Sequence, residues 1–398
     1  MYYNINFFYF SANFLSFIKG ADCIFDKLNY FKSFIFLNMN IFSSKTEDLS
    51  SKNTRIFKYD NLRGLGILLV VFFHLLNSFF NFPIYKSIGQ LIVIIAMPII
   101  FFVSGYFSKV DENTQIKAFS GILIPYFLFC TLWIIFTFIV FGWDLPKTPY
   151  LLPSAGLWYL LTLFLMRSFL PVFVRIKHIF WIMIAGSLLI GLISYSSNFL
   201  SIFKTVYYLP LFMLGYYFKN SEYYLSELDS RISSVFLKVR NFIVSNKIIT
   251  FVFLILFLIA LSFIFADFPK NFFSFDISYD DLGIGDKLGM FLRLITIAAS
   301  IIVAILLNYL MPNKEMFLTK IGMNSLAVYV LHFYFTRSLK TFFLGSSLGD
   351  IVSNNPYLAI IYVIIATLVI TFILSRDFVT KSINKVINLF VKLLVKTS

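Results

Sequence analysis

Stretches of about 20 apolar residues recur along most of the chain, and they constrain the fold more than any motif does. A helix rises about 1.5 Å per residue, so a run of that length crosses the hydrocarbon of a bilayer. In lipid, every backbone polar group must be satisfied within the crossing element. Roughly ten such spans can be read, at about 61–82, 88–108, 118–141, 157–174, 179–195, 199–218, 248–268, 288–311, 321–342 and 357–375, the fifth being short. The 398 residues are 59% hydrophobic and only 13% charged, with a mean hydropathy of +0.85. Soluble domains are about half apolar and a quarter charged. The sequence therefore predicts an all-α, polytopic integral membrane protein with about ten transmembrane helices.

The net charge of +14 would by itself suit a nucleic-acid partner. The basic residues, however, sit in short segments between the apolar spans, so membrane lipids are expected as partners and nucleic acid is not. With the N-terminus inside, the cytoplasmic segments hold about four times as many Lys and Arg as the outer loops. Both termini are expected in the cytoplasm. The abundance of Phe, Ile, Lys and Asn suggests a bacterial origin, hence a multi-pass protein of the inner (plasma) membrane. Cys23 and Cys130 make neither a disulfide framework nor a zinc pattern, and no metal site is expected. The outer loop 269–287 carries Asp276, Asp280, Asp281 and Asp286, but not at the spacing of a calcium loop.

Three regions follow. Residues 1–58 read as an N-terminal extension, poorly ordered or lying on the membrane surface, with Met39 an alternative natural start. Residues 59–376 form the transmembrane domain. Residues 377–398 alternate Lys with Val, Ile, Leu and Phe at helical spacing, as a basic amphipathic helix on the cytoplasmic surface does.

The first span carries three polar groups on one face. Arg63 and His74 are separated by about three turns plus 20°, and Asp60 lies about 40° from His74. That face cannot look at lipid, and ionisable groups inside a membrane are functional candidates by default. In the ninth span Ser325, Tyr329 and His332 share a face, and His332 falls at about the depth of His74. Histidine accepts and returns a proton near neutral pH; interhelical hydrogen bonding is the competing reading for both. Ser104, Gly105 and Tyr106 end the second span at the level of Arg63. Pro125 reads as a kink in the third span, and His178 as a surface residue in a basic turn. Trp158 and Tyr159 open the fourth span at the outer interface. Arg167 is about 180° from Trp158 and is expected to snorkel or pair elsewhere. Arg293 and Arg337 are outer-half cations for an anionic acceptor or lipid headgroups, with headgroups favoured.

Six short motifs occur in order. They are Tyr59-Asp60-Asn61-Leu62-Arg63-Gly64 followed by His74, Phe101 to Phe107, Ile124-Pro125-Tyr126, Leu157-Trp158-Tyr159-Leu160, Phe212 to Tyr216, and Asn324 to His332. At these residues the sequence resembles the membrane-bound acyltransferase-3 family, in particular its fucose-acetylase and polysaccharide O-acetylase branch, over about residues 56–376. The resemblance implies transfer of an acyl group, usually acetyl, from cytoplasmic acyl-CoA to a sugar hydroxyl at the outer side of the membrane. It makes His74 the essential catalytic residue, with Arg63 and Asp60 building its site and His332 and Trp158 secondary. Trp158, Ser104, Gly105, Tyr106, Ser325 and Tyr329 are the expected substrate-binding residues. Acyl-CoA is a co-substrate, and no cofactor is implied. The acceptor is a sugar or polysaccharide, free or lipid-linked, that reaches the membrane itself, since no hydrolase-like domain is fused. Many members carry an Arg-x-Arg pair after the second helix; here that region offers only Lys109 and Lys117, so part of the anion-binding role is unassigned. The alternative is a transporter or flippase for a lipid-linked sugar, and a third reading is a structural subunit of an export complex. Neither calls for an Arg and a His on one apolar helix.

Overall fold

The computed structural model describes residues 55–148, 150–154, 156–194, 199–219, 241–266 and 268–395. Most of the N-terminal extension lies outside them. By contacts the chain divides into two units. One, Met1–Asn53 with Tyr217–Asn246, falls mostly outside the described residues. The other, Thr54–Tyr216 with Lys247–Ser398, holds everything that follows except the last three residues of one helix, 217–219.

All regular structure among the described residues is helical. In chain order the helices are α1 Phe57–Leu76, α2 Pro83–Tyr106, α3 Thr114–Phe141 with a π turn at Phe119–Leu123, α4 Trp158–Phe173, α5 Ile179–Leu189 and α6 Ile202–Lys219. They continue with α7 Lys247–Phe265, α8 Asp286–Leu310, α9 Phe317–Met323, α10 Ser325–Ser338, α11 Ser347–Asn354, α12 Pro356–Leu374 and α13 Asp377–Leu394. Among the described residues seven helices are long and apolar enough to cross a membrane, with α4 and α5 shorter. The protein is a multi-pass membrane protein. Many of their apolar side chains face outward, for instance Ile248, Phe263, Tyr357 and Phe372, as lipid-facing helices require.

The ninth expected span is not one helix. It breaks at Asn324, which leaves helical geometry (φ −103°, ψ 21°). There its amide donates to the Ser375 carbonyl at 2.8 Å and to Asp377 Oδ1 at 3.1 Å. An apolar run gives no sign of this, because the partners lie at the far end of α12.

Two pairs of glycines set the helix contacts. A Cβ at Gly64 would strike the Leu318 carbonyl, and one at Gly322 would strike the Asp60 carbonyl, so α1 and α9 touch backbone to backbone. Gly105 and Gly215 do the same for α2 and α6, against the carbonyls of Phe212 and Phe102. Apolar side chains gain little from leaving lipid for a helix interface, so close packing through small residues carries the association. Asn61, fully buried, adds hydrogen bonds to the α1–α9 contact. Its amide donates to the carbonyls of Pro312 and Lys314 at 3.0 and 2.9 Å, and its oxygen accepts from Thr319 Oγ1 at 2.5 Å. In α13 only Ile383 and Ile387 are buried, while Leu389, Leu393 and Leu394 are exposed beside its lysines.

Candidate active site

α1 and α10 each bring a histidine to one point. The rings of His74 and His332 lie 5.4 Å apart, centroid to centroid, inclined by 37°. Phe333 covers both, at 4.4 and 4.1 Å. His332 is fully buried, and its Nδ1 lies 2.7 Å from the Tyr329 carbonyl. A carbonyl only accepts, so Nδ1 carries the proton and Nε2 carries the lone pair. That Nε2 is buried without a hydrogen-bond partner among the described residues.

Two cavities meet at His74. One, of about 270 Å³, runs along α1 and α2 past Val70, Phe73 and Met97 to Trp158, Lys204 and Tyr208. The other, of about 430 Å³, opens toward Trp133, Trp143, Asp144, Arg337 and Lys340. His74, Asn77 and Phe333 line both. Asn77 Oδ1 is a buried acceptor without a partner among the described residues.

A chain of polar and aromatic groups leads from the histidines to Arg63. Tyr329 stands between His332, at 6.0 Å, and Tyr159, at 5.2 Å. The Tyr159 hydroxyl shares a 2.8 Å hydrogen bond with Ser104 Oγ and feels the charge of both Arg63 and Arg167. Arg63 and Arg167 each lie about 9 Å from their helix ends at Phe57 and Phe173, with the Tyr159 hydroxyl as a shared neighbour. Among the described residues neither arginine has a carboxylate within ion-pair distance, and Arg167 Nε is buried without a partner. Asp60 is engaged by Arg55, whose Nε and Nη2 donate to it at 2.6 and 3.2 Å. That bond holds the Arg55 guanidinium further above its ordinary value.

Not every expected residue lies at the histidines. Trp158 lines the smaller cavity, under the Lys204 ammonium at 5.1 Å. Ser104 reaches the chain through Tyr159, whereas the open side of Gly105 is filled by the backbone of α6. Tyr106 stacks on Tyr59 at 3.8 Å, beside the Phe107 ring under Arg63. Ser325 sits at the start of α10, next to the break, and lines neither cavity. Tyr329 donates its hydroxyl to the Gly156 carbonyl.

Of the two readings of Arg167, the one that places it elsewhere in the bundle holds: its Nε is buried, with Tyr159 and Arg63 as neighbours, and it does not snorkel. Arg293 does not meet headgroups: it is fully buried among Tyr279, Tyr207 and Phe275, with ring centroids at 4.7, 5.9 and 6.0 Å. Arg337 lies in the larger cavity, 4.5 Å from the Trp143 ring. The sequence reading also passed over Gly156. It has φ +81°, and a Cβ there would enter the Phe333 ring that covers the histidines. Among the described residues no three His, Cys, Asp or Glu side chains gather as a metal site would need.

Neither the comparison with curated proteins nor that with solved structures found a match. A family model described as an acyltransferase domain matches residues 56–376, from the turn before α1 to the end of α12. The chain belongs to the acyltransferase-3 family and is an acyltransferase.

Proposed function

We propose that the protein is an O-acyltransferase that moves an acyl group, acetyl in our reading, from cytoplasmic acyl-CoA to a hydroxyl of a cell-surface or lipid-linked sugar. The observation that carries this reading is the position of His74. It sits on the same helix as Arg63 and lies where two cavities meet beside a second histidine.

In this reading the Arg63 end of α1 faces the cytoplasm and the His74 end faces outward. CoA phosphates rest on Arg63 and Arg167, two guanidinium groups that among the described residues have no carboxylate within ion-pair distance; guanidinium suits phosphate geometry. Arg167 thereby takes the role left open by the missing Arg-x-Arg pair. The pantetheine arm threads past Tyr159 and Tyr329, and the roughly 16 Å between Arg63 and His74 is within its reach. His74 takes the proton of the acceptor hydroxyl while that oxygen attacks the thioester carbonyl. The C–S bond then breaks, and the CoA thiolate takes the proton back from His74. His332, with its Nε2 lone pair free, is the nearest basic group with which His74 can share that proton.

The test is to supply membranes containing the protein with radiolabelled acetyl-CoA. Label should appear in polysaccharide or lipid-linked sugar. Movement of the sugar across the membrane without label would instead indicate transport.

A further inference from the structure

The two cavities at His74 differ in chemistry. The smaller is walled mainly by apolar side chains of α1 and α2; Lys86 and Lys204 also line it, but Lys204 is paired with Asp276 at 2.8 Å. The larger has indole faces from Trp133 and Trp143, hydroxyls from Thr137 and Thr336, and two cations, Arg337 and Lys340. Stacked on Trp143 at 4.5 Å, the Arg337 guanidinium keeps its edges free, and its buried Nε has no partner among the described residues. Asp144 lines the same cavity, yet among the described residues no carboxylate forms an ion pair with Arg337 or Lys340. Two cations in a partly enclosed space attract an anion, and an arginine with free edges favours a carboxylate or phosphate.

The reach also fits. Arg337 lies five residues beyond His332 on α10, or about 7.5 Å along the axis. A charged substituent at Arg337 would leave one sugar ring between it and His74. Aromatic faces with a few convergent polar groups are the usual lining of a small-ligand site.

We propose that the larger cavity is the acceptor site and that it selects an acidic sugar. Arg337 and Lys340 hold the carboxylate or phosphate, the ring lies against Trp143, and a neighbouring hydroxyl faces His74. This rests on the acyl-transfer reading above.

The test uses the full chain in membranes with labelled acetyl-CoA and three soluble acceptors: an oligosaccharide ending in a uronate, the same ending in a sugar phosphate, and its neutral counterpart. The acidic acceptors should saturate at a concentration at least tenfold lower than the neutral one. Arg337→Gln should remove most of that preference through KM, and Arg337→Lys should restore part of it. Preference for uronate or for phosphate identifies the source of the anion, and either supports the proposal. Equal use of all three acceptors by the unaltered protein overturns it while acyl transfer stands. So does an Arg337→Gln protein that keeps the preference but binds anionic phosphatidylglycerol vesicles more weakly, because the cations then serve the bilayer surface. Absence of label from every acceptor and from native membrane glycans defeats the acyl-transfer reading itself.

Discussion

His74 and His332 come from helices at opposite ends of the sequence, yet their rings stand 5.4 Å apart under a single phenylalanine. Because Nδ1 of His332 is bound to the Tyr329 carbonyl, only its Nε2 is free to act. His332→Asn can keep the donor near Nδ1 but has nothing at Nε2. If His332 shares the proton taken by His74, Asn should cost as much in kcat as Ala, about a hundredfold, the lower end of general acid–base contributions. Rescue by Asn would reduce His332 to a structural hydrogen bond.

The inner arginines should govern the donor. Arg167→Gln should raise KM for acetyl-CoA about tenfold, in keeping with roughly 1.5–3 kcal/mol for hydrogen bonds to charged groups. The effect should shrink as salt rises. An unchanged KM with normal expression would place the phosphates elsewhere.

Gly156 should be intolerant of any side chain. Its φ of +81° and the Phe333 ring beside it leave no room for a Cβ. Gly156→Ala should cost about 1–2 kcal/mol from the left-handed backbone alone. By moving Phe333 it should also lower kcat in protein that still purifies as a folded species. Full activity would mean that Phe333 does not position the histidines.

The helix-contact glycines should behave differently. Gly322→Val or Gly215→Val forces apart backbones that now touch. Overpacking typically costs about 1–3 kcal/mol, so each should lower the melting temperature in detergent. Loss of activity should follow loss of fold, with unchanged KM in whatever folded fraction remains.

Much of this arrangement was legible because it depends on register within one helix. The common face of α1 and the matching depth of the two histidines follow from counting residues at helical rise. Arg167 stays away from the cavity that Trp158 lines, as the 180° between them implies, but its partner had to be found separately: eight residues on from Tyr159 it returns to within about 80° of that side chain, and Tyr159 is its neighbour in space. What could not be read depends on loops folding back over distant helices. Phe275 and Tyr279 enclose Arg293, Asn324 breaks α9 from α10 to reach the end of α12, and Gly156 admits the Phe333 ring. The Gly64 and Gly105 motifs were visible, but their partners Gly322 and Gly215 become meaningful only once the helices are paired.

The central claim is that His74 performs the transfer. The most direct measurement is single-turnover transfer from radiolabelled acetyl-CoA in membranes holding equal amounts of the unaltered protein and His74→Ala. The account predicts label in the sugar acceptor with the first and none with the second, although both insert and purify alike. Label transferred at a comparable rate by His74→Ala would contradict it.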